Sequence, residues 1–269
     1  MQDRYEGFLS RDLIPDFERY ARVCFEAFGD RVKHWITFNE PDVICGHGFW
    51  MGVMAPGRSS DRSRCPEGNS ATEPWIVAHH LLLAHARAVH AYRTDFNPRQ
   101  GGQIGITLNG DWCEPYSPAD AEGTLPPPLP LLLIPIAPCC STPWPDWLAA
   151  QRRLEFWIGH YADPVYLTGD YPASMRKQLG DRLPEFTPEE SALLKGSSDF
   201  YGMNTYTSDY IRDKTTPPDE EDYFGNVIAT KVGPDGKQMG PQAESFWLQD
   251  GISPLPHNSH AVPLHYAAC

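Results

Sequence analysis

The sequence lacks the features of secreted, membrane-spanning and nucleic-acid-binding proteins. Its most apolar stretch, residues 129–137, is about half a membrane span and is broken by Pro130 and Pro135. The N-terminal sequence MQDRYEGFLSRDL carries charges where a signal peptide needs an apolar segment. Basic residues are scarce, since 22 Lys and Arg stand against 35 Asp and Glu and give a net charge of −13. This charge disfavours nucleic acid and anionic membranes as partners, and we expect a cytoplasmic protein.

An ordered cysteine pattern is also absent. The seven cysteines are scattered, with no Cys-x-x-Cys pair and no histidine at zinc-finger spacing. This argues against a disulfide framework and against structural zinc. His79, His80 and His85 share one predicted helix, but they lack the His-Glu-x-x-His spacing of a metal site. We therefore predict neither a metal nor a cofactor.

The regular pattern that is present predicts parallel β/α units. Apolar residues at helical spacing predict an amphipathic helix over residues 12–29, with Gly29 at its C-terminal cap. Residues 32–38 predict a strand buried on both faces, and Thr72 is expected to cap a helix that runs to about Phe96. Further buried strands are predicted at 103–109 and 198–204. Strands alternating with helices indicate an α/β fold with a parallel sheet, and 269 residues are enough for one complete (β/α)8 barrel.

One segment does not fit this pattern. Residues 122–147 contain eight of the 27 prolines and have neither helical nor strand periodicity. A polyproline-like linker is one interpretation, but such linkers are usually polar and this one is rich in Leu and Ile.

The residues best suited to catalysis are Asn39 and Glu40, directly after the first predicted strand. Because the C-terminal ends of barrel strands form the active-site rim, both side chains are expected to face a pocket. A glutamate there can act as a general acid that protonates a leaving oxygen and then as a base that activates water. The alternative is a solvated glutamate at the start of a loop.

Several motifs occur in one order along the chain. H-W-I-T-F-N-E-P ends at Pro41, G-V-M-A-P-G follows at 52–57, I-G-I-T-L-N at 104–109, and D-F-Y-G-M-N-T-Y-T at 199–207. This order resembles the family-1 glycoside hydrolases, and most closely the fungal cytosolic β-glucosidases. Residues 18–35 and 180–187 are similar to that family as well. The resemblance covers roughly residues 2–120 and 149–250.

The resemblance implies a (β/α)8 barrel that hydrolyses β-glucosides, such as cellobiose, with retention of configuration. Glu40 matches the family's acid/base glutamate, and Asn39 its partner that contacts the sugar 2-hydroxyl. Asn204 matches an asparagine near the sugar, and Tyr206 a tyrosine that hydrogen-bonds the nucleophile. For Tyr206, packing on the barrel lip is the alternative. For Asn109 we favour a structural role.

The resemblance also shows what is missing. The family's nucleophile lies in a T-E-N-G motif, and Glu-Asn-Gly does not occur in this sequence. Asp111, Asp209 and Glu244 are the nearest substitutes by position, but each is more simply a solvated loop acid.

The motifs present imply about strands four to six of eight, which leaves a partial (β/α)8 barrel with two open sheet edges. We predict one incomplete barrel domain over residues 1–250, interrupted by a non-family insertion at 122–148 and followed by a disordered tail at 251–269. Both non-family stretches are interpreted as translated non-coding sequence from an imperfect gene model. Two hypotheses follow: a β-glucosidase-like hydrolase with Glu40 as acid/base, or an inactive fragment that binds sugar weakly at most.

Overall fold

The computed structural model describes residues 5–117 and 145–240. The helices are α1 (Leu13–Phe28), α2 (Pro41–Cys45), α3 (Glu73–Ala91), α4 (Asn97–Gln100), α5 (Pro145–Leu154), α6 (His160–Ala162), α7 (Ala173–Leu179) and α8 (Pro188–Leu194). The strands are β1 (His34–Asn39), β2 (Gln103–Asn109), β3 (Trp112–Pro115), β4 (Gly202–Asn204), β5 (Ser208–Asp213) and β6 (Val227–Thr230). Short π-helical turns lie at Gly46–Trp50, Tyr92–Phe96, Glu155–Gly159 and Asp163–Leu167, and 3-10 turns at Gly7–Leu9 and Gly180–Arg182.

The described chain forms two compact units. The first unit comprises residues 5–109 and 157–204, and the second comprises 110–117, 145–156 and 205–240. In the first unit the strands lie in the order β1-β2-β4, and all are parallel. Helices connect consecutive strands, so the predicted parallel β/α arrangement is confirmed.

The core of the first unit lies between α1, α3 and the sheet. Phe25 of α1 packs edge-on against Trp35 of β1, with ring centroids 5.0 Å apart, and lies 4.9 Å from Tyr92. The helix ends at Gly29, as predicted, but the backbone there is right-handed. The Gln100 side-chain amide lies against this glycine, and a Cβ here would lie 2.0 Å from it, so a larger residue would displace the Gln100 side chain.

Strand β1 differs from the prediction of burial on both faces. His34, Ile36 and Asn39 are exposed, whereas residues 104–108 of β2 are buried. The reason is position in the sheet, since within residues 5–117 and 145–240 β1 pairs only with β2. Composition predicted the strand correctly but not its place at an edge.

Helix α3 begins where predicted, and the α-helix ends at Ala91, before the π-helical turn that reaches Phe96. The expected cap is wrong, because the Thr72 side chain makes no capping hydrogen bond. Glu73 instead accepts two hydrogen bonds from the Arg58 guanidinium, at 2.9 and 2.7 Å. This ion pair fastens the loop that precedes α3 to the first turn of the helix.

The second unit contains a sheet of order β3-β5-β6, with β3 and β5 parallel and β5 and β6 antiparallel. Helix α5 covers it through Ala149 and Ala150, which pack with Cys113 and Ile211. Residues 234–236 form a turn, with Gly236 at a φ of 75°. Residues 145–148 of the predicted insertion belong to α5, and the remainder of it, like the tail at 251–269, lies outside the described residues.

No helix in the described part of the chain is long and apolar enough to cross a membrane. The four cysteines within it, Cys24, Cys45, Cys65 and Cys113, are free thiols.

Candidate active site

The site begins at a bulge near the end of β1. Ile36 pairs with Gly105 and Asn39 with Thr107, so three steps along β1 match two along β2. The extra residue is typical of a β-bulge, which turns the following side chains away from the regular strand direction. The Glu40 backbone N–H donates to the Thr107 carbonyl at 2.8 Å, which fixes the strand end against β2.

Glu40 has a left-handed backbone, with φ 54° and ψ 61°. This conformation is uncommon for a residue with a Cβ, and such strain is found most often at functional sites. Pro41 follows at the first position of α2, where its fixed φ suits the start of a helix. The Asn-Glu-Pro sequence therefore turns from strand to helix within one residue, with Glu40 at the turn.

Asn204, at the end of β4, reaches both residues of the pair. Its amide nitrogen donates to Asn39 Oδ1 at 3.1 Å and to Glu40 Oε1 at 2.7 Å. Strands β1 and β4 lie on either side of β2. Strand β4 approaches β2 closely, since a Cβ on Gly202 would lie 2.6 Å from Thr107 Oγ1. The structure thus brings together three predicted site residues, Asn39, Glu40 and Asn204.

Asn109 lies beside Asn204 in register, at the end of β2. Its Oδ1 is buried and has no hydrogen-bond partner within residues 5–117 and 145–240. A structural role for this residue stays a prediction.

Tyr206 belongs to the second unit, where its side chain is 42% exposed. Its backbone N–H donates to Asp111 Oδ1 at 2.8 Å, and the N–H of Thr207 donates to the same oxygen at 3.0 Å. Burial raises the pKa of Asp111, against the lowering effect of these two hydrogen bonds. Asp111 therefore organises the start of β5 rather than being a solvated loop acid.

Asp209 is also bound rather than solvated. It lies on β5 and forms an ion pair with Lys231 Nζ at 3.0 Å, and both side chains are largely buried. Of the three substitutes considered for the nucleophile, Asp111 and Asp209 thus have structural partners, and Glu244 lies outside the described residues.

Three histidines of α3, His79, His80 and His85, have partners other than metals. His79 Nδ1 lies 3.1 Å from the Tyr171 hydroxyl, His80 Nδ1 lies 2.6 Å from the Phe8 carbonyl, and His85 Nδ1 lies 2.7 Å from Thr37 Oγ1. Across residues 5–117 and 145–240, no three His, Cys, Asp or Glu side chains converge as metal ligands.

A parallel β/α sheet with polar and acidic side chains at its C-terminal edge is the arrangement of a (β/α)8 barrel enzyme. Comparison with known proteins identifies the family. The sequence profile of Glycosyl hydrolase family 1 matches residues 1–125 and 131–255. The chain belongs to this family.

Similar proteins are β-glucosidases from fungi and plants. The chain is 53% identical over 253 residues to Beta-glucosidase 1B of Phanerodontia chrysosporium, covering 93% of this chain and 41% of that protein. It is 42% identical over 252 residues to Beta-glucosidase 11 of Oryza sativa subsp. japonica, covering 92% and 43%. The crystal structure of a family-1 β-glucosidase from Humicola insolens in complex with glucose superposes with a TM-score of 0.80 at 51% identity, covering 92% of this chain and 47% of that one.

The chain therefore spans slightly less than half the length of these relatives, and it is a partial (β/α)8 barrel. The predicted family and fold class are confirmed.

Proposed function

We propose that the chain carries the acid/base part of a retaining β-glucosidase site. The observation that carries this proposal is the contact of the Asn204 amide with Glu40 Oε1 at 2.7 Å, at the C-terminal edge of the sheet. The Asn204 amide donates to the carboxylate and orients it at the end of the strand, as a general acid/base residue requires. Glu40 protonates the leaving oxygen of a β-glucoside and afterwards activates water.

Asn39 and Asn204 bind the sugar in this proposal, and the sugar-site role of Tyr206 stays a prediction from the family resemblance. Amide groups that flank a carboxylate can donate to and accept from sugar hydroxyls. The relatives are β-glucosidases, and the Humicola relative was crystallised with glucose, which supports a small β-glucoside or oligosaccharide as the substrate. Location in the cytoplasm stays a prediction from the sequence.

A retaining mechanism needs a second carboxylate about 5–5.5 Å from the first, because that group forms the covalent glycosyl-enzyme. The sequence contains no Glu-Asn-Gly, and Asp111 and Asp209 are bound to other groups. This observation favours a second candidate function, an inactive fragment that binds sugar weakly. We expect the chain alone to show no turnover above background.

Hydrolysis of 4-nitrophenyl β-glucoside by the wild type and by Glu40→Gln separates the candidates, with glucose binding followed by NMR titration. Turnover by the wild type that falls at least about a hundredfold in Glu40→Gln supports the hydrolase, since general acid–base groups contribute about that much or more. No turnover together with glucose binding that is lost in Asn39→Ala supports the sugar-binding fragment. Turnover above background that is equal in the two proteins contradicts the role given to Glu40.

A further inference from the structure

The β-bulge in β1 is held by a side-chain contact with a helix outside the sheet. The irregular pairing lies between Ile36 and Asn39, and Thr37 is one of the two residues inside it. The Thr37 hydroxyl lies 2.7 Å from Nδ1 of His85 on α3 and 3.2 Å from the Gly105 carbonyl of β2. This one hydroxyl therefore joins the bulge both to the neighbouring strand and to the helix that packs on the sheet.

The partner on α3 is fixed in place and uncharged. His85 is fully buried, and nearly every residue of α3 is buried with it. A ring enclosed in a close-packed interior has few other positions to adopt. Burial lowers the pKa of His85 to about 3, so the imidazole is neutral at physiological pH. Helix α3 therefore provides a constant reference for the position of the bulge.

The second contact of the Thr37 hydroxyl is with the central strand. Strand β2 pairs with both β1 and β4. A Cβ on Gly105 would lie 2.5 Å from Ser198 Oγ and 2.9 Å from the Phe200 ring, so the segment that leads into β4 packs directly against Gly105. The Gly105 carbonyl is therefore held close to the strand that ends at Asn204.

The geometry of the bulge decides where the next side chains point. Side chains alternate between the two faces of a strand, so a change in the bulge would redirect Asn39 and Glu40. The Asn204 amide meets these two residues at 3.1 and 2.7 Å, and hydrogen bonds weaken steeply when their geometry is lost. The contacts of the candidate site therefore depend on how the bulge is held.

We propose that Thr37 and His85 are positioning residues for the candidate site. His85 holds the Thr37 hydroxyl, and this hydroxyl fixes the bulge. The bulge in turn directs Asn39 and Glu40 toward Asn204. This proposal rests on the proposed function, because the position of Glu40 matters for chemistry only if Glu40 exchanges a proton there. The contact between Asn204 and Glu40 can nevertheless be measured without a sugar.

The side-chain amide signal of Asn204, in a proton–nitrogen correlation spectrum of the full 269-residue chain, reports the contact with Glu40. Asn204→Asp identifies this signal by its absence, and Glu40→Gln gives its position when the carboxylate is absent. Thr37→Val keeps the branched shape of threonine and removes the hydroxyl, whereas Thr37→Ser keeps the hydroxyl. We expect Thr37→Val to move the signal toward its position in Glu40→Gln, and Thr37→Ser to leave it near its wild-type position.

The same signal tests His85. His85→Leu replaces the ring by a side chain of similar volume and removes Nδ1. We expect it to move the Asn204 signal in the same direction as Thr37→Val, and the double variant to move it no further, because both changes remove one contact. Thr72→Val is the matched control, since it is the same chemical change at a threonine whose side chain makes no capping hydrogen bond. It should leave the Asn204 signal unchanged.

Glucose binding by the same proteins separates this proposal from the proposed function. We expect Thr37→Val to bind glucose about two- to tenfold more weakly than the wild type and Thr37→Ser, the effect of one hydrogen bond. An Asn204 signal that responds as expected in a chain that binds no glucose supports the positioning contact and contradicts the proposed function. A wild-type Asn204 signal in Thr37→Val, or equal movement in Thr37→Ser, overturns the positioning proposal. If Thr37→Val does not fold, a wild-type signal in His85→Leu overturns it.

Discussion

At the scale of the residue, Glu40 is fixed by features of both its backbone and its surroundings. A left-handed conformation costs a residue with a side chain roughly 1–3 kcal/mol, and the bulge in β1 interrupts regular pairing. The hydrogen bond to Thr107 and the amide of Asn204 offset part of that cost. A glutamate that only began a loop would need none of these contacts, so the local structure favours the catalytic interpretation over the solvated one.

Asp111 allows a prediction that separates charge from hydrogen bonding. Both backbone N–H groups that it binds donate to one oxygen, Oδ1, and an asparagine can accept both through the same atom. We expect Asp111→Asn to be at least as stable as the wild type at pH 7, and Asp111→Ala to lose about 1–3 kcal/mol because two hydrogen bonds, each worth about 0.5–1.5 kcal/mol, are lost. Urea unfolding followed by circular dichroism measures both.

The sign of the pH dependence follows from the raised pKa of Asp111. The folded state holds this proton more tightly than the unfolded chain, so ionisation of Asp111 destabilises the fold as pH rises above about 4. The advantage of Asp111→Asn over the wild type should therefore shrink when unfolding is measured near pH 4. An asparagine variant as unstable at pH 7 as the alanine variant would show that the ionised carboxylate itself is needed.

At the scale of the element, the sequence predicts the kind of element better than its setting. The apolar spacing of α1 and the β-branched run of β2 each correspond to the observed elements, because burial selects both patterns directly. The exposure of β1 depends on which strands lie beside it, and the residues of β1 do not encode its neighbours. The prediction that Thr72 caps α3 is wrong, because the Thr72 side chain makes no capping hydrogen bond. The polar contact at the start of this helix is instead made by Glu73, which binds Arg58, fifteen residues away along the chain.

The loop between the π-helical turn at Gly46–Trp50 and α3 offers a prediction about backbone packing. Gly68 has a φ of 118°, and a Cβ there would lie 2.3 Å from the backbone nitrogen of Ser59. Backbone cannot rotate away as a side chain can, so we expect Gly68→Ala to destabilise the protein by about 3 kcal/mol through strain and overlap. Thermal unfolding monitored by circular dichroism measures this loss.

Gly101→Ala, at a position outside that loop, is the matched control for Gly68→Ala. Gly101 also has a positive φ, 57°, but a Cβ there would meet no atom within 4 Å. With a ψ of 116°, Gly101 lies outside the left-handed helical region, so only a conformational cost of roughly 1–3 kcal/mol is expected, with no overlap added to it. Equal losses in the two alanine variants would mean that the close approach of Gly68 to Ser59 contributes nothing to stability.

At the scale of the whole molecule, the sequence predicts which residues belong to the candidate site but not which of them are in contact. Asn204 and Glu40 are 164 residues apart in sequence, and their hydrogen bond depends on β1 and β4 both lying beside β2. Spacing along a chain does not give strand order, and only the family resemblance implied that the two residues share a site. The bonds of Asp111 and Asp209 were missed for the same reason, since their partners come from other segments of the second unit.

Buried histidines make the stability of the first unit sensitive to acid. Burial lowers the pKa of His79, His85 and His160 to about 3. An unfolded histidine has a pKa near 6.5, so the unfolded chain takes up protons that the folded chain excludes. Stability is therefore full above about pH 6.5 and falls as pH drops below that value, by about 1.4 kcal/mol per pH unit for each of the three histidines.

His160 is the position at which this effect can be tested, because neither ring nitrogen has a hydrogen-bond partner within residues 5–117 and 145–240. Its ring packs against Trp75 and Tyr171, with centroids 5.4 and 5.5 Å away. His160→Leu removes a buried polar group and its titration, so we expect stability near that of the wild type at pH 7.5 and greater stability at pH 5. His90→Leu at an exposed position of α3 is the control for the replacement of a histidine by leucine. Urea midpoints from pH 7.5 to 5 measure the slope, and identical slopes for the wild type and His160→Leu would show that His160 does not exclude its proton in the folded state.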